Sequence, residues 1–569
     1  MKYRWAFAQP QAELCAQLSG NLGVSPLLAQ CLVNRGLCET DPIRLFLEPR
    51  LKHLTDPFLI PNMKKAVERL LSAREKGEPL VIFGDYDVDG VTSTALLADI
   101  LKRLGWKVFH YLPHRREEGY GLSGDGVRNC LEKHPVKLLL AVDCGSTAVK
   151  VVAELSKVGV EVIVLDHHQI SNPAPQVVAL VNPHAEQDAK PYSELCSAGL
   201  SFKLAHALVK RLREAKETVA LNLDLREFLD LVALGTIADL VPLTGENRIL
   251  ASSGLERLQS TVRPGLVALK KVAQCPATLG SHEVGFQLAP RLNASGRLEN
   301  AGESLHLLLT TDLEEAEQVA MALDNCNRER QSIERAIAED VIRSVRARFD
   351  PKSDFVIVEG DASWHVGVVG IVASRVLGEF HRPTIILGGD DGVWRGSGRS
   401  IEGFDLAAAL RQCSDLLLRH GGHALAAGLS IAPDKVALLK ARLNDMARGV
   451  LTPELLQPSL RLDAQVVLRD VTAERVRELS RLNPTGQGNG PVRVAVCGLS
   501  QQQPVVRLGK DRQHVKMRVT DGRYSMEAMW WNWGDAQLPK TKFDLACVPQ
   551  INSFGGRQTV QLKVLDWRE

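Results

Sequence analysis

Between residues 78 and 245, short apolar runs alternate with segments of helical length. Four of these runs are typical of buried strands: Leu80–Phe83, Lys107–Leu112, Leu138–Val142 and Val162–Leu165. Strands that alternate with helices usually form a parallel sheet, because each helix returns the chain to the same end of the sheet. We therefore predict a parallel sheet with crossover helices, to which Val177–Val181 could add a further strand.

The flanking sequence is more helical. Residues 1–75 have a mostly helical pattern and are predicted to be a capping or packing segment. No Gly or Pro interrupts the run from Thr311 to Arg348, which predicts one connecting helix of about 55 Å at 1.5 Å per residue. Thr311-Asp312-Leu313-Glu314 has the pattern of a capping box and is predicted to open that helix.

Two further domains are predicted towards the C-terminus. Phe355–Val358 and Thr384–Leu387 are strand-like and indicate a second α/β unit, whereas residues 455–569 alternate in short runs and are predicted to be all-β. The fold class is therefore α/β with an added β domain. The predicted boundaries are 1–75 for the N-terminal segment, 76–250 for the parallel-sheet domain, 251–350 for a helical connector, 351–450 for the second α/β domain and 455–569 for the β domain.

The bulk composition is that of a globular protein. The chain has 569 residues, of which 45% are hydrophobic and 24% charged, enough for three or four domains. Its 11 cysteines include no CxxC pair, which favours reduced thiols in the cytoplasm over a disulfide framework or a zinc ribbon. No apolar run approaches the roughly 20 residues that cross a bilayer, so we expect no membrane partner.

Charge is concentrated at the C-terminal end. Residues 461–569 contain 17 Lys and Arg against 11 Asp and Glu, a net charge of +6, although the whole chain carries only +2. Basic β-rich sequence with aromatic residues is typical of an OB-fold, in which aromatic rings stack on nucleic-acid bases. The candidate rings are Tyr524, Trp530, Trp531, Trp533 and Phe554. For any single tryptophan we favour the alternative of a core position.

The candidate chemistry begins directly after the first strand. Asp85, Asp87 and Asp89 alternate along the chain, so in extended geometry their side chains would share one face. Carboxylates at such short separations repel one another, and a bound cation would keep all three ionised. An EF-hand loop is excluded, because its twelfth position requires Glu and is occupied here by Leu96. An acidic surface turn remains the alternative for this stretch alone.

The other predicted strands also end in polar residues. Pro113-His114-Arg115-Arg116, Asp143-Cys144-Gly145-Ser146 and Asp166-His167-His168 follow the second, third and fourth strands. These ends converge on one edge of a parallel sheet, where α/β proteins bind ligands. Carboxylates with imidazole suit Mn²⁺ or a similar ion better than Ca²⁺, and Asp143 could bridge two ions about 4 Å apart, as in phosphoester hydrolysis. The sequence contains no P-loop.

Four ordered motifs carry a family resemblance. Gly84-Asp85-Tyr86-Asp87-Val88-Asp89-Gly90, Val142-Asp143-Cys144-Gly145, Asp166-His167-His168 and Gly235-Thr236-Ile237-Ala238-Asp239 resemble the motifs of the DHH phosphoesterase family. Later runs resemble its single-stranded-DNA exonucleases. These runs are Arg291–Leu298, Ser397–Ser400, Gly421–Gly428 and Asn483–Asn489. The resemblance covers nearly the whole chain and makes residues 76–250 a DHH catalytic domain and 351–450 a DHHA1-like domain.

The resemblance implies roles for individual residues in the first domain. The family's metal ligands match Asp87, Asp89, Asp143, His167 and Asp239, and the implied cofactor is Mn²⁺ or Mg²⁺, with two ions. Two residues have implied catalytic roles. Asp85 matches an acidic position near the metals, and His168 matches the residue that polarises the phosphate or assists the leaving oxygen. Many relatives have His at the position of Phe83, so one site is expected to be weaker or to recruit Asp85 or water.

Candidate substrate contacts come from the same resemblance and from residue chemistry. Arginine offers planar, bidentate donation to phosphate, and small residues allow close approach. Ser397 and Arg399, taken to lie in a Gly-flanked turn, are predicted to read the 5′ end if the two domains face each other across a cleft. The full predicted set is Arg115, Arg116, Arg291, Asn293, Arg297, His365, Ser397, Arg399 and His423.

The implied activity is metal-dependent degradation of single-stranded DNA from the 5′ end, in repair and recombination. The implied partners are single-stranded DNA, single-strand-binding protein and a helicase. One alternative is a DHH phosphodiesterase acting on short oligoribonucleotides or cyclic dinucleotides, whose shorter relatives lack a basic β domain. The other is a non-catalytic DNA-binding replication factor, which would be expected to have lost ligands.

Overall fold

A computed structural model describes residues 3–115, 117–119, 121–185, 190–298, 300–389, 392–534, 537–539, 541–554 and 556–569. The predicted substrate residue Arg116 lies outside the described residues. The chain divides into two compact units. The smaller unit comprises residues 1–6 and 327–461, and the larger unit comprises residues 7–326 and 462–569.

The N-terminal segment is mostly helical, in agreement with its sequence pattern. Its elements are β1 (Arg4–Phe7), α1 (Ala12–Leu22), α2 (Pro26–Val33), α3 (Thr40–Leu47) and α4 (Met63–Glu75). Ser25 caps α2, since its hydroxyl accepts a hydrogen bond from the Leu28 amide (3.2 Å) and Pro26 occupies the first helical position.

The predicted parallel sheet is confirmed. Its strands are β2 (Leu80–Gly84), β3 (Val108–Tyr111), β4 (Leu138–Val142), β5 (Glu161–Leu165) and β6 (Ala179–Val181), parallel and in the order β3-β2-β4-β5-β6. Every residue of β2 and β4 is buried, which explains why these strands appear in the sequence as unbroken apolar runs. The order reverses between β2 and β4, so a crevice opens there at the carboxyl ends of the strands.

Helices cover both faces of this sheet. They are α5 (Val88–Arg103), α6 (Gly124–Lys133), α7 (Val149–Lys157), α8 (Ser197–Glu214), α9 (Thr218–Leu221), α10 (Leu229–Ala238) and α11 (Gly245–Gln259). Leu80, Ile82 and Leu138 pack in one core with α5, α8 and α10. Val81 and Phe83, pointing the other way, pack in a second core with α6 and α7.

A series of helices follows the parallel-sheet domain. These are α12 (Pro264–Val272), α13 (Ser281–Glu283), α14 (Ala289–Leu298), α15 (Gly302–Leu309) and α16 (Leu313–Arg346). The predicted long helix is therefore confirmed as α16, but the predicted capping box is wrong by one residue. The Asp312 carboxylate accepts the Glu315 amide (3.0 Å), because Asp312, and not Thr311, precedes the first helical residue.

The second α/β domain lies in the smaller unit. Its elements are β7 (Ile357–Asp361), α17 (Val369–Phe380), β8 (Thr384–Gly388), β9 (Trp394–Arg399), α18 (Leu406–Gln412), β10 (Leu417–His423), β11 (Ala426–Ile431) and α19 (Val436–Arg448). The strands lie in the order β10-β11-β9-β8-β7. Ser397 and Arg399 belong to β9 and not to the turn that we predicted. Since they are two residues apart on a strand, their side chains share one face.

The C-terminal region forms a barrel. Before it, β12 (Ser459–Leu462) pairs with β1 in a separate two-stranded sheet. The elements of the barrel region are β13 (Ala464–Val466), α20 (Ala473–Leu479), β14 (Val494–Gln501), β15 (Val506–Leu508), β16 (His514–Thr520), β17 (Ser525–Trp530), β18 (Phe543–Phe554) and β19 (Arg557–Arg568). β14 pairs with β18 and also with β16, which closes a ring through β19 and β17. The all-β prediction missed α20, whose short amphipathic run packs on the barrel.

The barrel shares its hydrophobic core with the N-terminal helices. Leu28 and Leu32 of α2 and Ile43 of α3 belong to the same buried cluster as Val494 and Leu545 of the barrel. Both parts lie in the larger unit. Removing the barrel would therefore expose the apolar faces of α2 and α3, so its role is better tested by point substitution than by truncation.

Candidate metal centre

The predicted metal ligands converge at the carboxyl edge of the parallel sheet. Asp85 and Asp87 follow β2, Asp143 follows β4 and His167 follows β5, whereas Asp239 comes directly after the last residue of α10. Each of these positions lies where a buried element ends, so the side chains project into the crevice between β2 and β4.

Asp89 does not alternate with Asp85 and Asp87 as predicted from extended geometry. Helix α5 begins at Val88, within the acidic run itself. Asp87 is its N-cap, with Oδ1 accepting the amides of Asp89 (3.0 Å) and Gly90 (3.2 Å). The carboxylate of Asp89 therefore leaves the first turn of a helix, and its ligand atoms group with those of His167 and Asp239.

The predicted ligands form two adjoining sets, and a third group of Asp143, His167 and His168 overlaps them. In the first, Asp89, His167 and Asp239 bring their ligand atoms within 4.8 Å of one another. In the second, Asp85, Asp87 and Asp143 do the same. Asp143 also reaches the first set, because its Oδ1 lies 3.5 Å from His167 Nε2. This is the geometry expected of a carboxylate that bridges two ions.

Buried polar atoms without a hydrogen-bond partner indicate whether this site fits a metal. Both carboxylate oxygens of Asp85, and Nε2 of His167, are buried and have no hydrogen-bond partner among the described residues. His167 Nε2 lies 3.5 Å from Asp239 Oδ2 and 3.9 Å from Asp89 Oδ2. A buried polar atom without a partner is costly, whereas a divalent ion would satisfy these atoms together. The residues present therefore fit Mn²⁺ or Mg²⁺.

The electrostatics of the carboxylates also favour a cation. Burial, followed by repulsion from Asp89 and Asp87, raises the pKa of Asp239 to about 9. Burial and repulsion from Asp87 raise the pKa of Asp85 to about 8 and that of Asp89 to about 6. The pKa of Asp143 is raised well above its ordinary value, by burial and then by its acidic neighbours. Bound cations would remove this repulsion.

The two adjacent histidines have opposite properties. Burial, and then the charge of His168, lower the pKa of His167 to about 4, so its imidazole is neutral, as a metal ligand requires. His168 Nδ1 lies 2.8 Å from Asp166 Oδ1. Although burial lowers the pKa of His168, the hydrogen bond to Asp166 outweighs it and raises that pKa to about 9. His168 is therefore a cation that can donate a proton.

Asp166 orients His168. Its Oδ2 accepts the Ser146 amide (3.0 Å), and its Oδ1 also accepts the His168 amide (3.2 Å). Burial alone would raise the pKa of Asp166, but the hydrogen bond and charge of His168 outweigh it and hold that pKa well below its usual range. The first residue of the Asp-His-His motif thus fixes the third.

Ser197 was missed by sequence reasoning. Its hydroxyl donates to Asp143 Oδ1 (2.9 Å), and its amide donates to Asp89 Oδ2 (2.7 Å). The Ala198 amide donates to Asp89 Oδ1 (2.8 Å), so the N-terminus of α8 holds both oxygens of one ligand. Such outer partners orient metal ligands. In the sequence, Ser197 is an ordinary helix-opening residue, more than 50 positions from either aspartate.

Phe83 is a core residue. It is fully buried, and its ring stacks on Tyr111 with a centroid separation of 5.5 Å. Its side chain packs among Val81 and Leu139 on the face of the sheet that α6 and α7 cover. The expectation that Asp85 compensates for this departure stays a prediction, and the position of Asp85 beside Asp87 and Asp143 supports it.

Tyr86 lies between the acidic positions, with one predicted substrate residue beside it and a helix that carries two others. The guanidinium of Arg115 lies 5.1 Å from the Tyr86 ring centroid. On α14, a Cβ at Gly296 would come within 2.9 Å of the Tyr86 carbonyl oxygen, so the helix that carries Asn293 and Arg297 passes against this loop. Asn293 and Arg297 are four residues apart and share a helix face. These three side chains stay predicted phosphate contacts.

Arg291 has a different environment. Its Nε and Nη2 both lie 2.8 Å from Asp324 Oδ1, and Nη1 donates to the Gln287 carbonyl (2.6 Å). The guanidinium is thus engaged by α16 and by its own helical turn. Arg291 is therefore held within the protein and is not a freely solvated surface side chain.

The remaining predicted substrate residues gather in the smaller unit. Arg399 Nη1 donates to Ser397 Oγ (3.0 Å), and Gly370 in the first turn of α17 lies against both side chains. His365 Nδ1 accepts the Gly367 amide (3.1 Å) just before that helix. Arg399 pairs with Ala426, which pairs with His423, so His423 lies two strands away at the same level of the sheet.

The raised carboxyl pKa values predict that metal binding depends on pH. Asp85 and Asp239, with pKa values of about 8 and about 9, hold protons at neutral pH that a metal must displace. We expect Mn²⁺ affinity to fall by at least about tenfold from pH 8 to pH 6, as protons compete. Because folding raises the pKa of these carboxyls, the metal-free fold loses stability as pH rises from their ordinary pKa towards these values, so Mn²⁺ should raise Tm more at pH 8. Titration calorimetry and thermal unfolding at both pH values test this, and pH-independent affinity would contradict it.

Family models match three regions of the chain. The DHH family N-terminal domain matches residues 79–236, the DHHA1 domain matches residues 353–449 and the RecJ OB domain matches residues 462–566. The first region contains Asp85, Asp87, Asp89, Asp143, His167 and His168. None of the described helices combines the length and the apolar character that a bilayer crossing requires.

Curated relatives match nearly the whole chain. The single-stranded-DNA-specific exonuclease RecJ of Bacillus subtilis is 37% identical over 571 residues, covering 99% of this chain and 71% of that protein. RecJ of Escherichia coli is 33% identical over 581 residues, covering 99% of each. The crystal structure of RecJ from Thermus thermophilus in complex with Mn²⁺ superposes with a TM-score of 0.84 at 32% identity, covering 100% of this chain and 80% of that one. With its two adjoining ligand sets and these relatives, the chain belongs to the RecJ family of DHH proteins.

Proposed function

We propose that this chain is a metal-dependent exonuclease that degrades single-stranded DNA to mononucleotides in the 5′-to-3′ direction, in DNA repair and recombination. The observation that carries the proposal is the pair of adjoining ligand sets joined through Asp143. The relatives named above are single-stranded-DNA-specific exonucleases, and T. thermophilus RecJ has been solved with Mn²⁺ and with Mg²⁺.

The ligand sets would hold two ions of Mn²⁺ or Mg²⁺. When bound, the ions would activate a water molecule and neutralise the charge that develops on the phosphate. We extend the predicted ligand set by Asp85, since its two unpaired oxygens belong with Asp87 and Asp143. The holding residues would be Asp89, His167 and Asp239 in one site, Asp85 and Asp87 in the other, and Asp143 between them.

The protein's own groups would complete the reaction. His168, held by Asp166, would donate a proton to the leaving oxygen or a hydrogen bond to the phosphate. Arg115 and Arg297 would bind phosphates of the strand beside Tyr86. Because Asp166 fixes Nδ1, the donor that faces the substrate would be Nε2 of His168.

The terminal phosphate would be bound in the smaller unit. Ser397 and Arg399 lie at the N-terminus of α17, a 12-residue helix whose free amides favour an anion. A 5′-terminal phosphate carries more charge than an interior one and needs more donors. His365 and His423 flank these residues and would add contacts.

The barrel would bind the single strand. Trp531 and Tyr524 have exposed fractions of 51% and 40%, and Trp531 packs edge-on against His514 at 4.9 Å. Trp530 is 1% exposed, so it is a core residue as we favoured for any single tryptophan. These exposed rings suit base stacking, and the net charge of +6 on residues 461–569 suits attraction to phosphate.

Partners and location are further parts of the proposal. We propose that the enzyme works with single-strand-binding protein and a helicase in the cytoplasm, since an exonuclease for single strands needs duplex to be opened. The cysteines of the chain are free thiols, as a reducing compartment requires. The two alternatives are not favoured: a short-substrate phosphodiesterase would not need the barrel, and a non-catalytic factor would not retain both ligand sets.

A single experiment tests activity and polarity together. Purified protein with Mn²⁺ is incubated with single strands labelled at the 5′ end or at the 3′ end. Degradation from the 5′ end releases labelled mononucleotide at once from the first substrate and gives progressively shorter labelled strands from the second. Matched RNA and duplex DNA are expected to persist. The opposite label pattern would refute the polarity, and no cleavage of any substrate would refute the function.

A further inference from the structure

A buried arginine joins three parts of the larger unit. Arg248 on α11 is 1% exposed, and its guanidinium lies 3.8 Å from the ring centroid of Phe46 on α3. Its nitrogens donate to backbone carbonyls of α3 and of the segment between α20 and β14. The acceptors are Phe46 (2.7 Å), Asn483 (2.8 Å), Leu482 (2.9 Å), Arg481 (3.0 Å) and Pro484 (3.3 Å). The loop Asn483–Asn489, one of the runs that carried the family resemblance, is thereby fixed to the parallel-sheet domain.

The same loop is closed upon itself. Asn489 is fully buried, and its side-chain Nδ2 donates to the carbonyls of Leu482 (2.7 Å) and Pro484 (2.9 Å). Its Oδ1 accepts Arg35 Nε (2.8 Å), and the Gly486 amide donates to the Asn489 carbonyl (2.8 Å). With so many of its polar groups paired, the loop is a rigid element.

This loop contacts the segment that follows the predicted metal ligand Asp239. The Leu243 amide donates to the Gln487 carbonyl (2.8 Å). Gly488, with φ of 70°, lies against Pro242, so that a Cβ there would come within 2.9 Å of the Pro242 Cβ. From the other side, Asn247 Nδ2 donates to the Pro242 carbonyl (3.1 Å). Residues 242–243 are therefore fixed by the loop and by α11.

The intervening residues transmit this constraint. Asp239 directly follows α10, with its amide bonded to the Gly235 carbonyl (2.9 Å). Leu240 comes next and has φ of 62°, a left-handed conformation that is unfavourable for a leucine. Its side chain is 71% exposed, so its own packing does not hold it there. Such a residue persists when both of its flanks are fixed, here by α10 and by the loop.

We propose that the loop Asn483–Asn489 is a positioning element for Asp239, which sets the affinity of the first metal site through residues 240–243. The inference rests on the proposed role of Asp239 as a ligand. The run that resembles the family's exonucleases, between α20 and β14, would thus affect catalysis. The metal centre is complete only while this loop is docked. Arg248 is the residue that holds the loop in place.

The test uses Gly488 in the loop and Gly490, which directly follows it. Gly488→Ala places a methyl group against Pro242 and strains the backbone, whereas a Cβ at Gly490 would meet open space. We expect Gly488→Ala to weaken binding of one of two Mn²⁺ ions by about tenfold in titration calorimetry, as removal of an outer partner does. Affinity for single-stranded DNA without metal should stay at the wild-type value, and Gly490→Ala should match wild type in both measurements.

A double-mutant cycle separates this role from general destabilisation. In an Asp239→Ala background, Gly488→Ala should have no further effect on Mn²⁺ affinity, because the group it positions is gone. Additive losses, unchanged Mn²⁺ affinity in Gly488→Ala, or lost DNA affinity with intact metal binding would each overturn the proposal. If Gly488→Ala does not fold, Gly486→Ala, which presses on Leu243 without a positive φ, serves in its place. Unchanged Mn²⁺ binding in Asp239→Ala alone would instead refute the proposed metal site.

Discussion

Replacing Asp143 by Asn is expected to lower the rate of single-strand cleavage by about 10³-fold or more, because one side chain serves both ligand sets. Asn keeps the shape and can still accept the hydrogen bond of Ser197, but it removes the charge that would bridge two ions. Cleavage of end-labelled strands under single-turnover conditions measures the loss, and calorimetry should show weakened binding at both Mn²⁺ sites.

The same substitution should not destabilise the metal-free protein. Burial and repulsion from Asp89, Asp87 and Asp85 raise the pKa of Asp143, so removing this carboxyl relieves strain at neutral pH. We expect Tm without metal to equal or exceed that of wild type, while the stabilisation by Mn²⁺ disappears. Retention of more than a few per cent of wild-type activity would show that Asp143 is not the shared ligand.

Replacing His168 by Gln is expected to lower kcat by about 10²-fold to 10³-fold while Mn²⁺ affinity stays close to wild type. The reason is the division of roles between neighbours. His167 points Nε2 at three carboxylates, whereas His168 is bonded to Asp166 and has a pKa of about 9. Single-turnover rates with saturating Mn²⁺, alongside calorimetry, separate the chemical step from metal binding.

His134→Gln provides a matched control. His134 is the C-cap of α6 and packs on Phe109. The substitution therefore removes an imidazole from the same domain without involving the metal centre. It should leave kcat unchanged. If His168→Gln lost as much Mn²⁺ affinity as His167→Gln, both histidines would be ligands. The proton donor for the leaving oxygen would then have to be another group.

The sequence by itself determined the parallel sheet and the inventory of its catalytic edge. The strands of that sheet are covered on both faces, so burial demands unbroken apolar runs, and such runs are visible without a structure. Polar residues directly after those runs must lie at one edge of a parallel sheet. That reasoning placed Asp85, Asp143 and His167 together, and their order along the chain identified the family, as the comparisons confirmed.

The tertiary structure decided how those residues are grouped. Asp89 joins His167 and Asp239, and not Asp85, because Asp87 caps α5 and starts the helix at Val88. Ser197 reaches Asp89 and Asp143 only because α8 packs with its N-terminus against the crevice. No local pattern records such distances, since each depends on how separate elements pack.

The same limit applies to domains distant in sequence. The helical pattern of residues 1–75 predicted the helices but not that α2 and α3 complete the core of a barrel that begins more than 400 residues later. Likewise, the Asn483–Asn489 run was visible as a motif, while its contacts with Arg248 and Leu243 were not. Periodicity and capping encode the hydrogen bonds and burial of one element, whereas contacts between elements arise only when the whole chain has packed.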